Sequence, residues 1–447
     1  MIADRDTLAK HLSGMVTYAT ISDEDEKKMN FQVFAQFQKY LQDTYPLVHR
    51  MFQREIIGSA ALLYKWEIPK NTKKKAPLLL AAHQDVVPAG DPAAWKYPPF
   101  AGTIAEGFLW GRGCLDCKNI IMGHMEALEA LIAEGFQPDF DIYLAYGYNE
   151  EVSISCESPA ADLLAKTLLK RGVRIGVVLD EGGCVVPGST VGIEGLVANI
   201  GLAEKGIADI RLSKAGKGGH AARPGKPNIM ADVARAVVAL DENPFPYRVL
   251  PEIATQYRLL APYAGDKREI YQDVNAHQQK LSKLLEDNPA AAAKFHTTMA
   301  MTMAEGSYRP SIMPTEVSVR VNCRLLTGDT MESALDRIRA VIGQESGVDA
   351  QCLGGRDSSP MSDMNSQEYR CLQEVIEELY PGIKVLPSIC LGGTDAYFYY
   401  PVADYVFRFC GENRVPQNGP AHGVNERIDL NTIDAAPRFF YHYLARY

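Results

Sequence analysis

The stretch Pro77-Leu78-Leu79-Leu80-Ala81-Ala82-His83-Gln84-Asp85 decides how the chain is read. An apolar run too short for a helix ends directly in a histidine, an amide and a carboxylate. Two other stretches repeat the design. Ile142-Tyr-Leu-Ala-Tyr146 leads to Asn149-Glu150-Glu151, and Ile175-Gly-Val-Val-Leu179 leads to Asp180-Glu181-Gly182-Gly183. Uninterrupted apolar runs of this length, separated by helical stretches, are the pattern of strands covered on both faces. The stripe Ile120, Ile121, Met125, Leu128, Leu131 and Ile132 predicts one intervening helix, with Gly135 as its stop. The expected class is α/β with a mostly parallel sheet. Ligands of open α/β sheets bind beyond the carboxyl ends of the strands, and all three polar clusters fall there.

Working outward, Leu8, Leu12, Met15 and Val16 share one face of an N-terminal helix, and Ser59–Trp66 reads as a strand. From about residue 193 the texture changes. A β-like stretch, Leu196–Leu212, leads to the glycine loop Gly216-Lys217-Gly218-Gly219-His220. A helix follows around Ile229–Leu240, and residues 270–305 read as helical, with the character of an insertion. Thr315–Arg324 alternates strictly, Val317, Val319, Val321 and Cys323 on one side, which predicts a half-buried strand. A helix over Met331–Ile342 closes the unit. The expectation is a smaller α/β domain, 193–350, inserted into a larger one formed by 1–192 and 351–447.

The chain has 447 residues, 47% hydrophobic and 23% charged, which excludes disordered, collagen-like and coiled-coil classes. Its 46 basic and 55 acidic residues give a formal net charge of −9, which disfavours a nucleic-acid partner. The charged N-terminal stretch lacks the apolar core of a signal peptide, and no window approaches a membrane span. Nine irregularly spaced cysteines read as reduced thiols, so a cytoplasmic location is expected. Cys114 and Cys117 lack the second pair that a structural zinc would need.

The polar clusters carry the chemistry. Gly111-Arg-Gly-Cys-Leu-Asp116 adds a carboxylate in a glycine-rich loop, and Pro420-Ala-His422-Gly423 adds a histidine. Taken singly, an acidic pair reads as solvated surface and a lone histidine as structural. Taken together at strand ends, His83, Asp116, Glu151, Asp180 and His422 are candidate ligands for two zinc ions, with cobalt or manganese as looser fits. If Asp116 bridges, His83 with Asp180 and Glu151 with His422 complete the two sets, and a water held between the ions has its pKa lowered. Glu150 is then the candidate general base. On an extended chain Glu150 and Glu151 would face opposite ways, so both serve one site only if the turn is irregular. Asp85, two residues after His83, is placed to fix the imidazole tautomer.

These residues, with Gly218-Gly219-His220 and Gly392-Gly393-Thr394-Asp395, resemble the M20 metallopeptidase family in order and spacing over essentially the whole chain. The His-x-Asp-Val-Val-Pro and Leu-Asp-Glu-Gly-Gly versions are most similar to its carboxypeptidase S and N-acyl-amino-acid hydrolase branch, near aminoacylase and carnosinase-like dipeptidases. The resemblance implies a catalytic domain with two zinc ions and an inserted lid domain that often dimerises. It implies the ligand roles above, with Asp116 bridging, and catalytic roles for Glu150 and Asp85. It also implies that His220 polarises the scissile carbonyl in a neighbouring subunit's site, that Arg324 holds the substrate's free carboxylate, and that Gly393 and Thr394 border the substrate. Asn149, Ser311 and Ser153-Ile154-Ser155 depart from the family pattern without removing a ligand. The expected activity is cleavage of an amide bond in a small peptide or N-acyl amino acid, by a homodimer. The alternative is a non-catalytic metal-containing protein that binds amino-acid-like ligands. A nucleotide-dependent enzyme has little support, because Gly111-Arg-Gly113 lacks the glycine spacing of a dinucleotide loop.

Overall fold

In the computed structural model, which describes residues 2–447, the predicted apolar runs become adjacent strands of one sheet. Ile142–Gly147, Leu78–His83, Ile175–Asp180 and Ala403–Arg408 lie side by side and parallel. Gln53–Ile57 and Ala61–Trp66 extend the sheet antiparallel on one side. Leu196–Glu204 and Lys384–Cys390, parallel to each other, extend it on the other, and Val185–Pro187 completes nine strands. The class is mixed α/β with a large, mostly parallel sheet, as expected.

Strand alternation divides the core in two. Leu78, Leu80 and Ala82 enter one apolar cluster, beneath helices Arg5–Val16, Lys118–Ala133 and Ala435–Arg446. Leu79 and Ala81 enter the other, beneath helix Ala160–Lys170. Two-sided burial is what the uninterrupted apolar runs require. Because the central strands are parallel, His83, Gly147 and Asp180 all finish at one edge, and the loops beyond them meet there.

A second, four-stranded antiparallel sheet has the order Thr298–Glu305, Glu316–Leu325, Gly206–Ala215, Asp349–Arg356. Helices Ile229–Glu242 and Met331–Ile342 pack on one face around Ile210, Leu212, Val321 and Ile338. The expected strand and closing helix are both present. One expectation is corrected. The helical reading of 270–305 holds for the short helices Arg268–Gln272, Gln278–Leu284 and Pro289–Ala292, but Thr298–Glu305 is an edge strand, as its alternating Met299, Met301 and Met303 permit. By sheet membership the chain leaves the large sheet at Lys205 and returns after Arg356. The expected boundary at 192/193 precedes a strand of the large sheet, and that at 350/351 cuts a strand of the small one. Each sheet claims the strand that completes its own ladder, which composition cannot reveal.

Helix Pro251–Leu260 and the segment to Phe295 lie between the two sheets. Ile253, Tyr257, Leu281, Leu285 and Phe295 share a cluster with Ala203 and Ile389 of the large sheet. Among the described residues, no helix is long and apolar enough to cross a membrane.

Candidate metal centre

His83 closes its strand fully buried. Its Nδ1 lies 3.0 Å from the main-chain oxygen of Asp85 and 3.4 Å from the Asp85 carboxylate. A carbonyl can only accept, so Nδ1 carries a proton and Nε2 faces the cluster. Nε2 lies 2.9 Å from Asp116 Oδ1 and 3.3 Å from Glu181 Oε1. The other Asp116 oxygen, Oδ2, lies 3.1 Å from His422 Nε2, which is also 3.0 Å from Glu151 Oε2. One carboxylate therefore presents an oxygen to each of two histidines.

Asp85 has a second task. Its carboxylate accepts the main-chain N–H of Glu150 at 3.1 Å and of Glu151 at 3.2 Å. This fixes the turn after strand Ile142–Gly147 to the turn after Leu78–His83. The turn Glu150–Val152 is 3₁₀ rather than extended, so both glutamates line one cleft. Asn149 closes the far side: its Oδ1 accepts from Ala160 N at 2.8 Å and its Nδ2 donates to Ser158 O at 3.1 Å.

Asp180 is buried, but neither grouping of metal-ligating atoms includes it; Glu181 stands in its place beside His83. Asp180 closes its strand, and Glu181 lies in the bend just beyond it, with Oε1 3.3 Å from His83 Nε2. Cys117 also lies in the His83 grouping, but its thiol meets the His83 main chain, accepting from His83 N at 3.1 Å.

The charge balance of the pocket asks for cations. Asp85, Asp116, Glu150, Glu151, Asp180, Glu181 and Asp395 surround two imidazoles. Asp180 Oδ2 and both Asp395 carboxylate oxygens are buried without a hydrogen-bond partner. Burial raises Glu150 and Asp395 well above the carboxylate range, Asp180 and Glu151 less, and Glu181 to about 8, with neighbouring acids adding to several of these shifts. Hydrogen bonds to Asp116 and Glu151 lift His422 to about 10. Burial opposes a charge on His83, but Cys117, Glu181, Asp116 and Asp85 hold its pKa well above normal. A pocket that retains protons this strongly is short of positive charge, and its oxygen-and-imidazole donor set suits divalent cations.

Further residues hold the loops and were given no role by the sequence reading. Glu426, fully buried, accepts from Gly113 N at 3.0 Å and Leu115 N at 2.9 Å, and pairs with Arg112. Arg112 also donates to the main-chain oxygen of His422 at 3.1 Å. The pair thus joins the Asp116 loop to the His422 loop, where His422 sits at a left-handed φ of 63°. Buried Glu204 accepts from Arg356 at 2.8 Å, from Arg408 Nε at 2.9 Å and from Thr394 Oγ1 at 2.9 Å. Arg408 within an apolar strand was the available signal, because a buried guanidinium must find a partner.

Arg324, Gly393 and Thr394 line the same cleft as Asp116, Glu150, Glu151, Glu181 and His422, a cavity of about 670 Å³. The Arg324 guanidinium has no hydrogen-bond or ion-pair partner among the described residues, and burial draws its pKa down. His220 is elsewhere. It is exposed on the two-residue strand Gly219–His220, paired with Ile312–Met313, and its Nδ1 accepts from Ala222 N at 3.1 Å.

Fold and site together define a metal-dependent hydrolase. The model of Peptidase family M20/M25/M40 matches residues 79–446, and the chain belongs to that family. It is 30% identical over 446 residues to probable carboxypeptidase S-like 2 of Dictyostelium discoideum, covering 97% of this chain and 84% of that one. It is 30% identical over 444 residues to the N-fatty-acyl-amino acid synthase/hydrolase PM20D1 of Xenopus tropicalis, covering 98% and 85%. Among solved structures, the M20 family metallo-carboxypeptidase Sso-CP2 of Sulfolobus solfataricus superposes with a TM-score of 0.73 over 98% of each chain at 18% identity. Human carnosine dipeptidase 1 superposes with a TM-score of 0.66 over 99% of this chain and 96% of that one at 15% identity. These two likenesses concern the fold.

Proposed function

We propose that the chain hydrolyses an amide bond in a small peptide or N-acyl amino acid that carries a free carboxylate, using two divalent ions, zinc in the first instance. The carrying observation is the division of Asp116, one oxygen toward His83 and the other toward His422. His83 and Glu181 would hold one ion, Glu151 and His422 the other, with Asp116 shared. Glu181 replaces Asp180 as the terminal acid of the first set. Bound there, such ions supply Lewis-acid polarisation of the amide carbonyl and acidify a water.

Glu150 takes a proton from the attacking water on its carboxylate and delivers it to the leaving nitrogen. Its burial among other acids raises its proton affinity, which suits both transfers. The unpaired Arg324 offers a bidentate partner to the substrate carboxylate, and Gly393 and Thr394 border the substrate. The names of the carboxypeptidase S-like and N-fatty-acyl-amino acid hydrolase relatives favour a carboxylate-bearing amide. The presence of Glu150 in the cleft argues for turnover over mere binding of amino-acid-like ligands.

His220 would act in the site of a second copy, donating to the developing oxyanion. The exposed edge strand Thr298–Glu305, with Met303 and nearby Tyr308 uncovered, suits a homodimer. A cytoplasmic location remains part of the proposal. The test is a panel of dipeptides and N-acyl amino acids assayed after chelation, with zinc, cobalt or manganese added back. Restored hydrolysis of at least one member is expected. Bound metal with no hydrolysis across the panel would favour a binding protein.

A further inference from the structure

The wall of the metal cleft carries three lysine or arginine side chains, Lys294, Arg324 and Arg414. Arg414 is committed, with its Nε 2.7 Å from Glu412 Oε2. Arg324 faces the substrate's free carboxylate in the reading proposed above. Lys294 is left over. It has no carboxylate partner among the described residues, and its Nζ makes one long contact, 3.4 Å to Gln256 Oε1. Burial draws its pKa down to about 8, so it is still charged at neutral pH. Nearby Lys205 shows how the fold treats such a group when it is structural: its Nζ donates to the main-chain oxygens of Ala293 at 3.0 Å and His296 at 2.8 Å. A buried ammonium without such partners is costly until an anion arrives.

The groups around Lys294 are uncommitted too. It stands where the cleft opens into a second cavity, of about 510 Å³, and Asn199 lines both spaces with it. Asn199 Oδ1 is buried without a partner, and a turn of that amide presents its NH₂ instead. Gln256, only 1% exposed, lines the second cavity, and its Nε2 has no partner. An ammonium beside two amides with N–H groups to spare is a receptor for a carboxylate. Lys294 also shares a wall with Arg324. It lies four residues before Thr298, the cross-strand partner of Arg324 in the small sheet. The α-carboxylate and the side-chain carboxylate of aspartate or glutamate hang from one residue, so cations that receive both must stand on one wall.

We infer that Lys294, with Gln256 and Asn199, binds the side-chain carboxylate of the substrate's C-terminal residue, so that the preferred substrates are N-acyl or peptidyl derivatives of glutamate and aspartate. The inference rests on the proposed hydrolase reading and narrows it by a second negative charge. The amide lies at the metal ligands, the α-carboxylate at Arg324 and the side-chain carboxylate at Lys294. Hydrolysis adds water across the C–N bond: the acyl carbon takes the hydroxyl, the nitrogen takes the proton, and an amino dicarboxylate leaves.

The experiment compares N-acetyl-glutamate, N-acetyl-glutamine, N-acetyl-lysine, N-acetyl-leucine and N-succinyl-leucine on the metal-loaded enzyme. Glutamate and glutamine differ in charge at nearly constant shape, so the ratio of their kcat/KM isolates the second anion. It is expected to favour glutamate by about 10–100-fold, the range of a hydrogen-bonded charge. Lys294→Met is expected to bring the ratio near one. Lys294→Glu is expected to place N-acetyl-lysine ahead of N-acetyl-glutamate, an inversion that lost packing alone does not produce. If N-acetyl-leucine is cleaved but glutamate and glutamine are handled alike, the inference fails while the hydrolase reading stands. A glutamate preference that survives Lys294→Met also overturns it. So does a preference for N-succinyl- over N-acetyl-leucine without one for glutamate over glutamine, which puts the anion on the acyl side. Should neither variant fold, product inhibition of the unmodified enzyme decides, glutamate inhibiting more strongly than glutamine upholding the site and equal inhibition overturning it. Absence of hydrolysis for every substrate defeats the hydrolase reading. Calorimetry then decides the site alone, tighter binding of N-acetyl-glutamate than of N-acetyl-glutamine upholding it and equal or no binding overturning it.

Discussion

Asp116 can serve two histidines because each carboxylate has two oxygens, and the loop holding it is fixed from behind. Glu426 and Arg112 do the fixing. Replacing Glu426 by Gln removes the charge that balances buried Arg112 and puts an amide NH₂ either where Oε2 meets Arg112 or where Oε1 accepts both the Gly113 and Leu115 N–H groups. We expect metal affinity to fall about 10–100-fold, as when a residue supporting a ligand is lost. Titration of the apoprotein with zinc, followed by calorimetry, measures this without any assay of turnover. Glu150 makes the opposite separation. Glu150→Gln keeps the shape and removes the proton acceptor, so kcat should drop about 10²–10⁴-fold while metal content, read by elemental analysis, stays at the unmodified level. A near-normal kcat in that variant removes Glu150 from the base role.

Among the elements, the loop after strand Lys384–Cys390 shows how close packing serves the cleft. A side chain at Gly393 would collide with the Arg356 guanidinium, which is itself held by Glu204 and stacked 4.5 Å from the Tyr397 ring centroid. Arg356 cannot yield without uncovering Glu204. Gly393→Ala should therefore cost about 1–3 kcal/mol, the usual penalty of overpacking, seen as a lower midpoint in urea. The Thr330 cap of helix Met331–Ile342 tests a purely local effect. Its side chain accepts from Ser333 N at 3.0 Å in a capping box, and Thr330→Ala should cost about 1 kcal/mol with catalysis unaffected.

The molecule as a whole stores charge in two contrasting ways. The cleft concentrates acids and stabilises itself by taking up cations, so chelation should lower Tm. Each ion present at 100 times its dissociation constant contributes about 2.7 kcal/mol to the folded state. The core does the reverse at His124. This imidazole is fully buried, stacked on Tyr146 with centroids 5.8 Å apart, and its Nε2 has no partner. Burial pushes its pKa down to about 3, against about 6.5 in the unfolded chain. Between those values the unfolded chain binds the extra proton, so the native state is fully favoured above pH 6.5 and loses stability as pH falls. The loss at pH 5 is about 2 kcal/mol, and His124→Phe should flatten the dependence of Tm on pH between 5 and 7.

The sequence by itself determined the central strands Leu78–His83, Ile142–Gly147 and Ile175–Asp180, because two-sided burial writes itself as an uninterrupted apolar run, and it put candidate site residues at or just beyond their ends. It also marked Glu316–Leu325 and Met331–Ile342, where a single period governs burial. The tertiary structure alone decided the rest. Glu181, in the bend beyond strand Ile175–Asp180, comes within 3.3 Å of His83, and no one-dimensional pattern says which of two adjacent acids a loop brings to a distant histidine. The partners of Arg112 and Arg408 lie hundreds of residues away along the chain, and the exchange of Leu196–Glu204 and Asp349–Arg356 between sheets follows from hydrogen-bonded pairing. Local order is encoded in periodicity, but which distant groups meet is fixed only when the chain closes on itself.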